Sequence, residues 1–396
     1  MLAKAEIYRS DQPTASNFVR VGYIEVARQE DENSMEELQL QNIKLLDQGD
    51  GQNFHSPEEK AFIRKAEVDT NHGKIHVTLH GTEGKPAIIT FHDIGQNHVS
   101  AFQSFLNCGE MAPILQYFTI YHIDAPGQQE GASQFPETFQ YPTMDDLAEM
   151  ISDVVAHFKL KSFVGLGIGA GASILCRYGL KYPKLVDGLM LINCFSGKSG
   201  WVEWGYEKIS SHQLKSKGMT AFTEDYLVWH HFGKRSTEEN RDLVASYRKS
   251  LETAFNNFNL GLFVESFSRR SEINMRRPLP GEASNIPSLK CQVLLVAGDY
   301  SPHLEEVLLT NSHMDPTCSS LMEVSDCGGT PLEEQPAKMA GAFRLFLQGL
   351  GYVPSLVPLK PQRPYDPRDH QGPIGVNMRI RTIFYVDTCP IYGCVQ

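Results

Sequence analysis

The sequence predicts an α/β protein with a mostly parallel sheet and a helical cap insertion. From about residue 73, short β-rich runs alternate with helical patterns. This rhythm stops at residues 197–287, where aromatic-rich helical patterns replace it, and afterwards resumes. Strands that alternate with helices are typical of a parallel sheet covered by helices. We therefore expect a core formed by residues 61–196 and 288–353, with a helical cap at 197–287.

Each strand of the core is predicted from a short run of β-branched and aromatic residues. One helix between the strands is marked by a capping box, because Thr143 precedes Asp146 by three residues and apolar residues then recur at helical spacing. This helix should cover one face of the sheet. The predicted strands are residues 75–79, 87–91, 118–123, 163–166, 189–192 and 293–296.

The two ends of the chain lack this pattern. Residues 1–60 mix charges with few periodic apolar positions, which predicts a flexible N-terminal arm. Residues 354–396 begin with closely spaced prolines, which block regular structure and predict a disordered tail. Within the cap, we expect the aromatic residues, including all three tryptophans, to form the cap's own core.

Composition excludes several function classes. A net charge of -11 argues against binding to nucleic acid, which depends on neutralising phosphates. No apolar run approaches the roughly 18 residues of a membrane-spanning helix. The eight cysteines form no C-x-x-C pair, so we expect reduced, mostly buried thiols rather than a metal site. The N-terminus lacks the apolar stretch of a secretory signal, which favours a cytoplasmic protein.

The most informative segment is a glycine-rich strand-to-helix turn at residues 163–171, F-V-G-L-G-I-G-A-G. In the fold of the α/β hydrolases, such a turn carries the serine nucleophile in a G-x-S-x-G elbow. Here the nucleophile's place falls on Gly169, with Gly167 as the alternative register, and neither residue has a side chain that can attack. The turn therefore predicts an α/β-hydrolase-like fold without its nucleophile.

The other two members of a catalytic triad are also replaced. The acid should follow the strand at 293–296, where the aligned position holds Ser301, and Asp299 stands two residues too early. The histidine should precede the final helix, where Gly329 stands instead. Since a triad works as a unit, the sequence predicts that the protein is not an enzyme.

Polar residues remain at other strand ends and define a candidate pocket of His92, Asp93 and Asp124. These residues offer two interpretations, a metal-dependent or displaced hydrolytic site and a set of turn-stabilising hydrogen bonds, of which we favour the second. We accordingly predict no metal and no cofactor. A displaced nucleophile at Ser104, Cys108 or Cys176 is a weaker alternative, because each lies in a helical pattern where burial explains it.

Dinucleotide binding is another alternative, because the glycine run also satisfies G-x-G-x-x-A at residues 165–170. A dinucleotide fingerprint belongs to the first β-α-β unit, with an acidic residue about twenty positions later. In this chain several strands precede the run, and the next strand is followed by Asn193. The match is therefore unspecific.

Several strings together resemble the N-myc downstream-regulated (NDRG) family. They are H-D-I-G-Q-N-H at 92–98, D-A-P-G-Q-Q-E-G-A at 124–132 and Y-P-T-M-D-D-L-A-E at 141–149, extended by 165–172, 326–329 and 346–352. The resemblance spans roughly residues 37–355. It implies an α/β-hydrolase fold with a helical cap and no hydrolase activity, in a cytoplasmic protein tied to differentiation, stress response, trafficking and signalling. The family's inactive positions correspond to Gly169, Ser301 and Gly329.

The sequence thus predicts a non-catalytic binding or adaptor protein that uses the hydrolase scaffold, its cap and its capped crevice to bind protein partners or membrane lipid headgroups. Two departures from the family stand out. The first thirty or so residues lie outside the match, and the tail after Leu359 lacks the Ser/Thr-rich character of many members, so tail phosphorylation is not expected. The alternative function is a hydrolase with a displaced or metal-dependent site at His92, Asp93 and Asp124.

Overall fold

The computed structural model describes residues 63–278, 282 and 286–353, together with two short strands, β1 (Val19–Arg20) and β10 (Ile383–Phe384). β1 and β10 pair antiparallel in a sheet of their own. Apart from these strands, the N-terminal arm and the C-terminal tail predicted above lie outside the described residues.

The central element is an eight-stranded sheet. Its strands are β2 (Ile63–Thr70), β3 (Gly73–His80), β4 (Ala87–Phe91), β5 (Thr119–Asp124), β6 (Phe163–Ile168), β7 (Val186–Ile192), β8 (Gln292–Gly298) and β9 (Ser319–Val324). They lie in the order β2-β3-β5-β4-β6-β7-β8-β9. The β2–β3 and β3–β5 pairs are antiparallel, and every other pair is parallel. The predicted mostly parallel sheet is confirmed.

Helices cover both faces of this sheet and its C-terminal edge. Four of the described helices, α5 (Trp201–Lys217), α6 (Ala221–Glu239), α7 (Arg241–Thr253) and α8 (Asn257–Ser268), follow one another between β7 and β8, where the sequence predicts the cap. These four helices are called the cap below. The described helices are α1 (His98–Leu106), α2 (Ala112–Leu115), α3 (Met144–His157), α4 (Ala170–Lys181), α5 (Trp201–Lys217), α6 (Ala221–Glu239), α7 (Arg241–Thr253), α8 (Asn257–Ser268), α9 (Leu304–His313), α10 (Pro331–Glu334) and α11 (Pro336–Gly349).

The core has two layers because successive side chains of a strand point to opposite sheet faces. In β4, Ile89 and Phe91 join the cluster under α3, α4 and the cap, whereas Ile88 joins the cluster under α1 and α11. Every residue of β4, β5 and β6 is buried. Central strands buried on both faces are expected for a sheet covered by helices on each side.

The sequence located the six inner strands to within a few residues but missed β2 and β9. The capping box of α3 is confirmed, since the Thr143 side chain accepts a hydrogen bond from the Asp146 N–H and the Asp146 carboxylate accepts one from the Thr143 N–H. The cysteines within the described residues are free thiols.

The prediction that the cap tryptophans form the cap's own core is wrong. Trp201, Trp204 and Trp229 are 89%, 42% and 46% exposed. The interior of the cap is instead filled by smaller apolar groups and phenylalanines, including Leu227 and Phe263. Because the three tryptophan rings are exposed, core packing does not explain them.

Among the described helices, none is long and apolar enough to span a membrane.

Candidate functional site

The turn between β6 and α4 has the strained geometry of a nucleophile elbow. Gly169 lies at φ 52° and ψ -114°, in the left-handed half of backbone space that disfavours residues with a Cβ. Its N–H donates to the Ile192 carbonyl of the neighbouring strand. The backbone that would present a nucleophile is thus retained although the residue is glycine.

A carboxylate occupies the space in front of Gly169, the predicted nucleophile position. A Cβ built on Gly169 would lie 2.0 Å from Asp93 Oδ2. Asp93 Oδ1 accepts hydrogen bonds from the N–H groups of Ile94 and Ala170, both at 2.8 Å. In α/β hydrolases, the N–H of the residue after the nucleophile is one of the two donors of the oxyanion hole. Asp93 therefore saturates the donor that a reacting carbonyl would need.

Asp93 is held in place by the cap through a buried ion pair. Its Oδ2 lies 2.9 Å from His230 Nε2 on α6, and both side chains are buried. Burial raises the pKa of Asp93, but the charge and hydrogen bond of His230 lower it by more, so the net pKa lies well below its ordinary value. Burial lowers the pKa of His230, but the charge and hydrogen bond of Asp93, together with the charges of Glu203 and Glu207, raise it, and the net pKa lies above its ordinary value. Each side chain thus stabilises the charged form of the other.

The space next to Gly329, the predicted histidine position, is also occupied. A Cβ on Gly329 would lie 2.0 Å from the carbonyl oxygen of His231 on α6, so no side chain fits there. The Gly329 carbonyl accepts a hydrogen bond from Asn193 Nδ2 at 2.7 Å, and Asn193 Oδ1 accepts one from Ser301 Oγ at 3.0 Å. Asn193 thus ties the predicted acid and histidine positions together without any titrating group between them.

Asp299 forms hydrogen bonds that hold two turns together. Its two carboxylate oxygens accept the N–H groups of Asp326 and Cys327, at 3.1 and 3.0 Å. These bonds join the turn after β8 to the turn after β9. Asp299 therefore acts as an acceptor for backbone N–H groups of a neighbouring turn.

The other two residues of the candidate pocket, His92 and Asp124, are neighbours of each other. His92 Nε2 lies 3.8 Å from Asp124 Oδ1. His92 Nε2 accepts the N–H of Ala125, and its Nδ1 is 2.7 Å from the Asp93 carbonyl. Asp124 accepts from both the N–H and the ring Nδ1 of His98, at 2.7 and 2.6 Å. Both ring nitrogens of His92 are thus engaged with backbone.

A different set of side chains lies close enough together to bind a metal ion. Among the residues that the structure describes, Asp93, His230 and His231 have ligand atoms within 4.8 Å of one another. His231 Nε2 is already 2.8 Å from the Ile94 carbonyl, to which only a protonated nitrogen can donate. Burial lowers the pKa of His231 to about 4, so its ring is neutral. The hydrogen bonds favour an ion pair over a metal centre.

Truncating Asp124 to alanine is expected to lower the free energy of unfolding by about 1–3 kcal/mol, because the N–H and ring of His98 lose their acceptor where α1 begins. Urea denaturation at pH 7 measures this loss. The matched control is Glu137→Ala, which removes an exposed loop carboxylate and should change stability by less than about 0.5 kcal/mol. Equal small losses in both variants would contradict the assignment.

Beside the Asp93–His230 pair, the cap and α9 enclose a cleft of about 1000 Å³. Six aromatic residues line it, together with Arg270 and His303. His303 Nε2 is 2.7 Å from the His230 carbonyl, which connects the cleft to the buried pair. The six aromatic residues that line the cleft are Phe195, Trp201, Tyr206, Phe222, Tyr226 and Trp229.

Sequence reasoning missed His230, which pairs with Asp93, and His231, whose carbonyl oxygen lies against Gly329. They lie in the W-H-H-F run at residues 229–232, whose pattern predicts only a part of the aromatic-rich cap. Two adjacent histidines inside an apolar helical stretch were the available signal, because buried imidazoles require polar partners. The sequence could not show that these partners lie in the loop after β4.

The relationship to known proteins follows from a family model. The model described as the Ndr family matches residues 65–354, which includes Gly169, Ser301, Gly329 and the cap. The chain belongs to the Ndr family. The resemblance seen in the sequence is thereby confirmed.

Curated relatives in the Ndr family cover most of the chain. Protein NDRG1 of Xenopus tropicalis is 46% identical over 299 residues, covering 75% of this chain and 73% of that protein. Protein NDRG3 of Xenopus tropicalis is 42% identical over 324 residues, covering 81% of both chains. Protein NDRG4-A of Xenopus laevis is 39% identical over 332 residues, covering 82% of both.

Solved structures with a similar fold are hydrolases. A thermophilic esterase from Thermogutta terrifontis matches with a TM-score of 0.59 at 15% identity, covering 72% of this chain and 99% of the esterase. A hydrolase from Pseudomonas aeruginosa matches with a TM-score of 0.56 at 19% identity, covering 72% and 98%. At such identities the likeness establishes the α/β-hydrolase fold of this Ndr-family chain and nothing about its chemistry.

Proposed function

We propose that this Ndr-family protein is a non-catalytic binding protein built on the hydrolase fold. The observation that carries the proposal is Asp93, whose carboxylate takes the space in front of Gly169 and accepts the Ala170 N–H. An oxyanion forming at this point would meet a resident negative charge instead of a free donor. Substrate activation and attack are both blocked by one buried side chain.

The filled histidine position supports the same conclusion. Because the His231 carbonyl lies where a Gly329 side chain would begin, no base fits at that strand end. A fold that keeps its cleft but fills its reactive centre suits binding without turnover. We place this binding role in the cytoplasm, as an adaptor in signalling, differentiation, stress response or vesicle trafficking, with protein partners or membrane lipid headgroups, as the family resemblance implies.

The purified full-length protein is expected to show no saturable hydrolysis of a panel of activated acyl and thioacyl esters. It should also remain unlabelled by a fluorophosphonate, which traps nucleophilic serines. An active esterase of the same fold and the heat-denatured protein serve as positive and negative controls. Saturable turnover that disappears on Asp299→Asn or Cys108→Ala would overturn the proposal.

The competing function is a hydrolase with a metal-dependent site around His92, Asp93 and Asp124. The proximity of ligand atoms of Asp93, His230 and His231 gives it one supporting observation. Elemental analysis of the protein purified without chelator separates the two functions. One equivalent of zinc, with an esterase activity lost on chelation and restored by zinc, would favour the metal-dependent hydrolase.

A further inference from the structure

The aromatic cleft of the cap presents a continuous series of rings. The Phe222 and Tyr206 rings are stacked at 5.6 Å with 7° between their planes, and the Tyr206 and Tyr226 rings at 6.2 Å with 11°. Trp229 follows at 6.5 Å from Tyr226, and its ring meets His303 edge-on at 6.3 Å. These rings line a space of about 1000 Å³, the upper end of the range for pockets that take a whole drug-sized ligand.

Such exposed rings are costly unless something covers them. Trp201 and Trp229 both line the cleft and remain largely exposed. A ligand with an apolar body would cover these ring faces.

The charges around the cleft favour a cationic polar group. Arg270 is already paired with Glu203 at 2.7 Å and with Glu207 at 3.3 Å. Asp225 is likewise paired with Arg248 at 2.8 Å. The charged residues that line the cleft are thus three carboxylates, Glu203, Asp225 and Glu306, and two basic groups, Arg270 and the exposed Lys198. Glu305 adds a further carboxylate next to Glu306 on α9.

The α9 carboxylates lie in an acidic field. Burial, together with the charges of Glu203 and Glu305, raises the pKa of Glu306. Among the described residues, no basic side chain forms an ion pair with Glu306, although the charge of Arg270 acts on it from a distance. Glu306 lines the cleft together with Pro302 and Leu309. A cation placed between Glu306 and the ring faces would gain both Coulomb and cation–π attraction.

We propose that the cleft binds an amphiphilic organic monocation, an ammonium group that carries an apolar chain or ring. The apolar body lies along the Phe222–Tyr206–Tyr226–Trp229 rings, and the ammonium faces Glu306. This inference rests on the proposed non-catalytic function, since it gives the chemical class of a ligand that is held and not cleaved. It concerns a free small molecule taken up whole, because the enclosed volume matches one such ligand.

The test compares three probes with the same eight-carbon chain: octyltrimethylammonium, octanesulfonate and 1-octanol. All three tryptophans of the chain lie in the cap, two of them in the cleft wall, so intrinsic fluorescence reports on this region. We expect saturable quenching or a spectral shift, confirmed by calorimetry, with the cation binding about tenfold more tightly than the sulfonate. Equal affinity for all three probes, or no saturable binding of the cation, would overturn the proposal.

Two variants locate the interaction. Glu305→Gln combined with Glu306→Gln should reduce affinity for the cation about tenfold and leave that for octanol unchanged. Phe222→Leu keeps the wall apolar but removes a ring face, and should likewise weaken the cation more than the alcohol. The matched control is Glu252→Gln, an exposed glutamate on α7 that does not line the cleft. A loss in the control as large as in the α9 variant would contradict the site.

A fourth probe separates this proposal from the function on which it rests. Octanoylcholine carries the same kind of cation on a cleavable ester. Binding without release of choline supports both proposals. Binding with saturable release of choline would leave the cation site standing and overturn the non-catalytic function instead.

Discussion

Replacing Asp93 by alanine is expected to lower the free energy of unfolding by about 3–5 kcal/mol, the largest loss we expect for any single truncation at this site. The change leaves the buried imidazole of His230 without the carboxylate with which it pairs. It also leaves the N–H groups of Ile94 and Ala170 without their acceptor. Urea denaturation at pH 6, followed by both fluorescence and circular dichroism, measures the loss.

The control for this variant is Asp299→Ala. Asp299 also accepts two backbone N–H groups, but it is only half-buried and has no histidine partner. We expect its truncation to cost about 1–2 kcal/mol. If both variants lose the same amount, the buried Asp93–His230 pair contributes nothing beyond its backbone hydrogen bonds.

The pair also predicts a pH signature. The pKa of Asp93 is lowered from 3.8 on folding, so its contribution is present above about pH 4 and is lost as the pH falls further. The pKa of His230 is raised from 6.5, so its contribution is complete below about pH 6.5 and is lost as the pH rises through the folded value. The double variant Asp93→Asn with His230→Gln lacks both groups. Its stability deficit should therefore peak between about pH 4 and 6.5.

The sheet was predictable because its signal is local. Runs such as residues 87–91 and 163–166 are almost entirely apolar, as expected for strands buried on both faces. β2 and β9 were missed because they lie at the edges of the sheet, where partial exposure mixes polar residues into the pattern. An edge strand has a weaker hydrophobic period than a central one.

The site was only half predictable. The triad positions could be predicted from the sequence, because Gly169 and Gly329 stand where motifs of fixed spacing place reactive residues. The contacts that the cap makes there could not be predicted, since His230 is some sixty residues from Gly169 and His231 about a hundred from Gly329. Their partners are set by how α6 packs on the strand ends, and one sequence without its fold carries no local signal of that packing.

Restoring a serine at position 169 is expected to destabilise the protein by about 3–5 kcal/mol and to create no esterase. The Cβ of Gly169→Ser would lie within 2.3 Å of three atoms of the Asp93 carboxyl group, on a backbone whose φ of 52° is itself strained for serine. Thermal and urea unfolding measure the loss, and the ester panel checks activity.

Because the atoms that oppose this serine belong to a side chain, a second substitution should relieve the clash. Gly169→Ser combined with Asp93→Ala is expected to be more stable than the sum of the two single losses predicts, by about 1–3 kcal/mol. Gly329→Ala is the contrasting case, since the opposing atom is the backbone oxygen of His231 and no side-chain truncation removes it. Strict additivity at position 169 would mean that Asp93 does not occupy the nucleophile's space. We expect Asp93→Ala to relieve Gly169→Ser in this way, and His231→Ala to leave Gly329→Ala as unstable as before. That pair of results would show that a side chain fills the space at position 169 and that the backbone fills it at position 329.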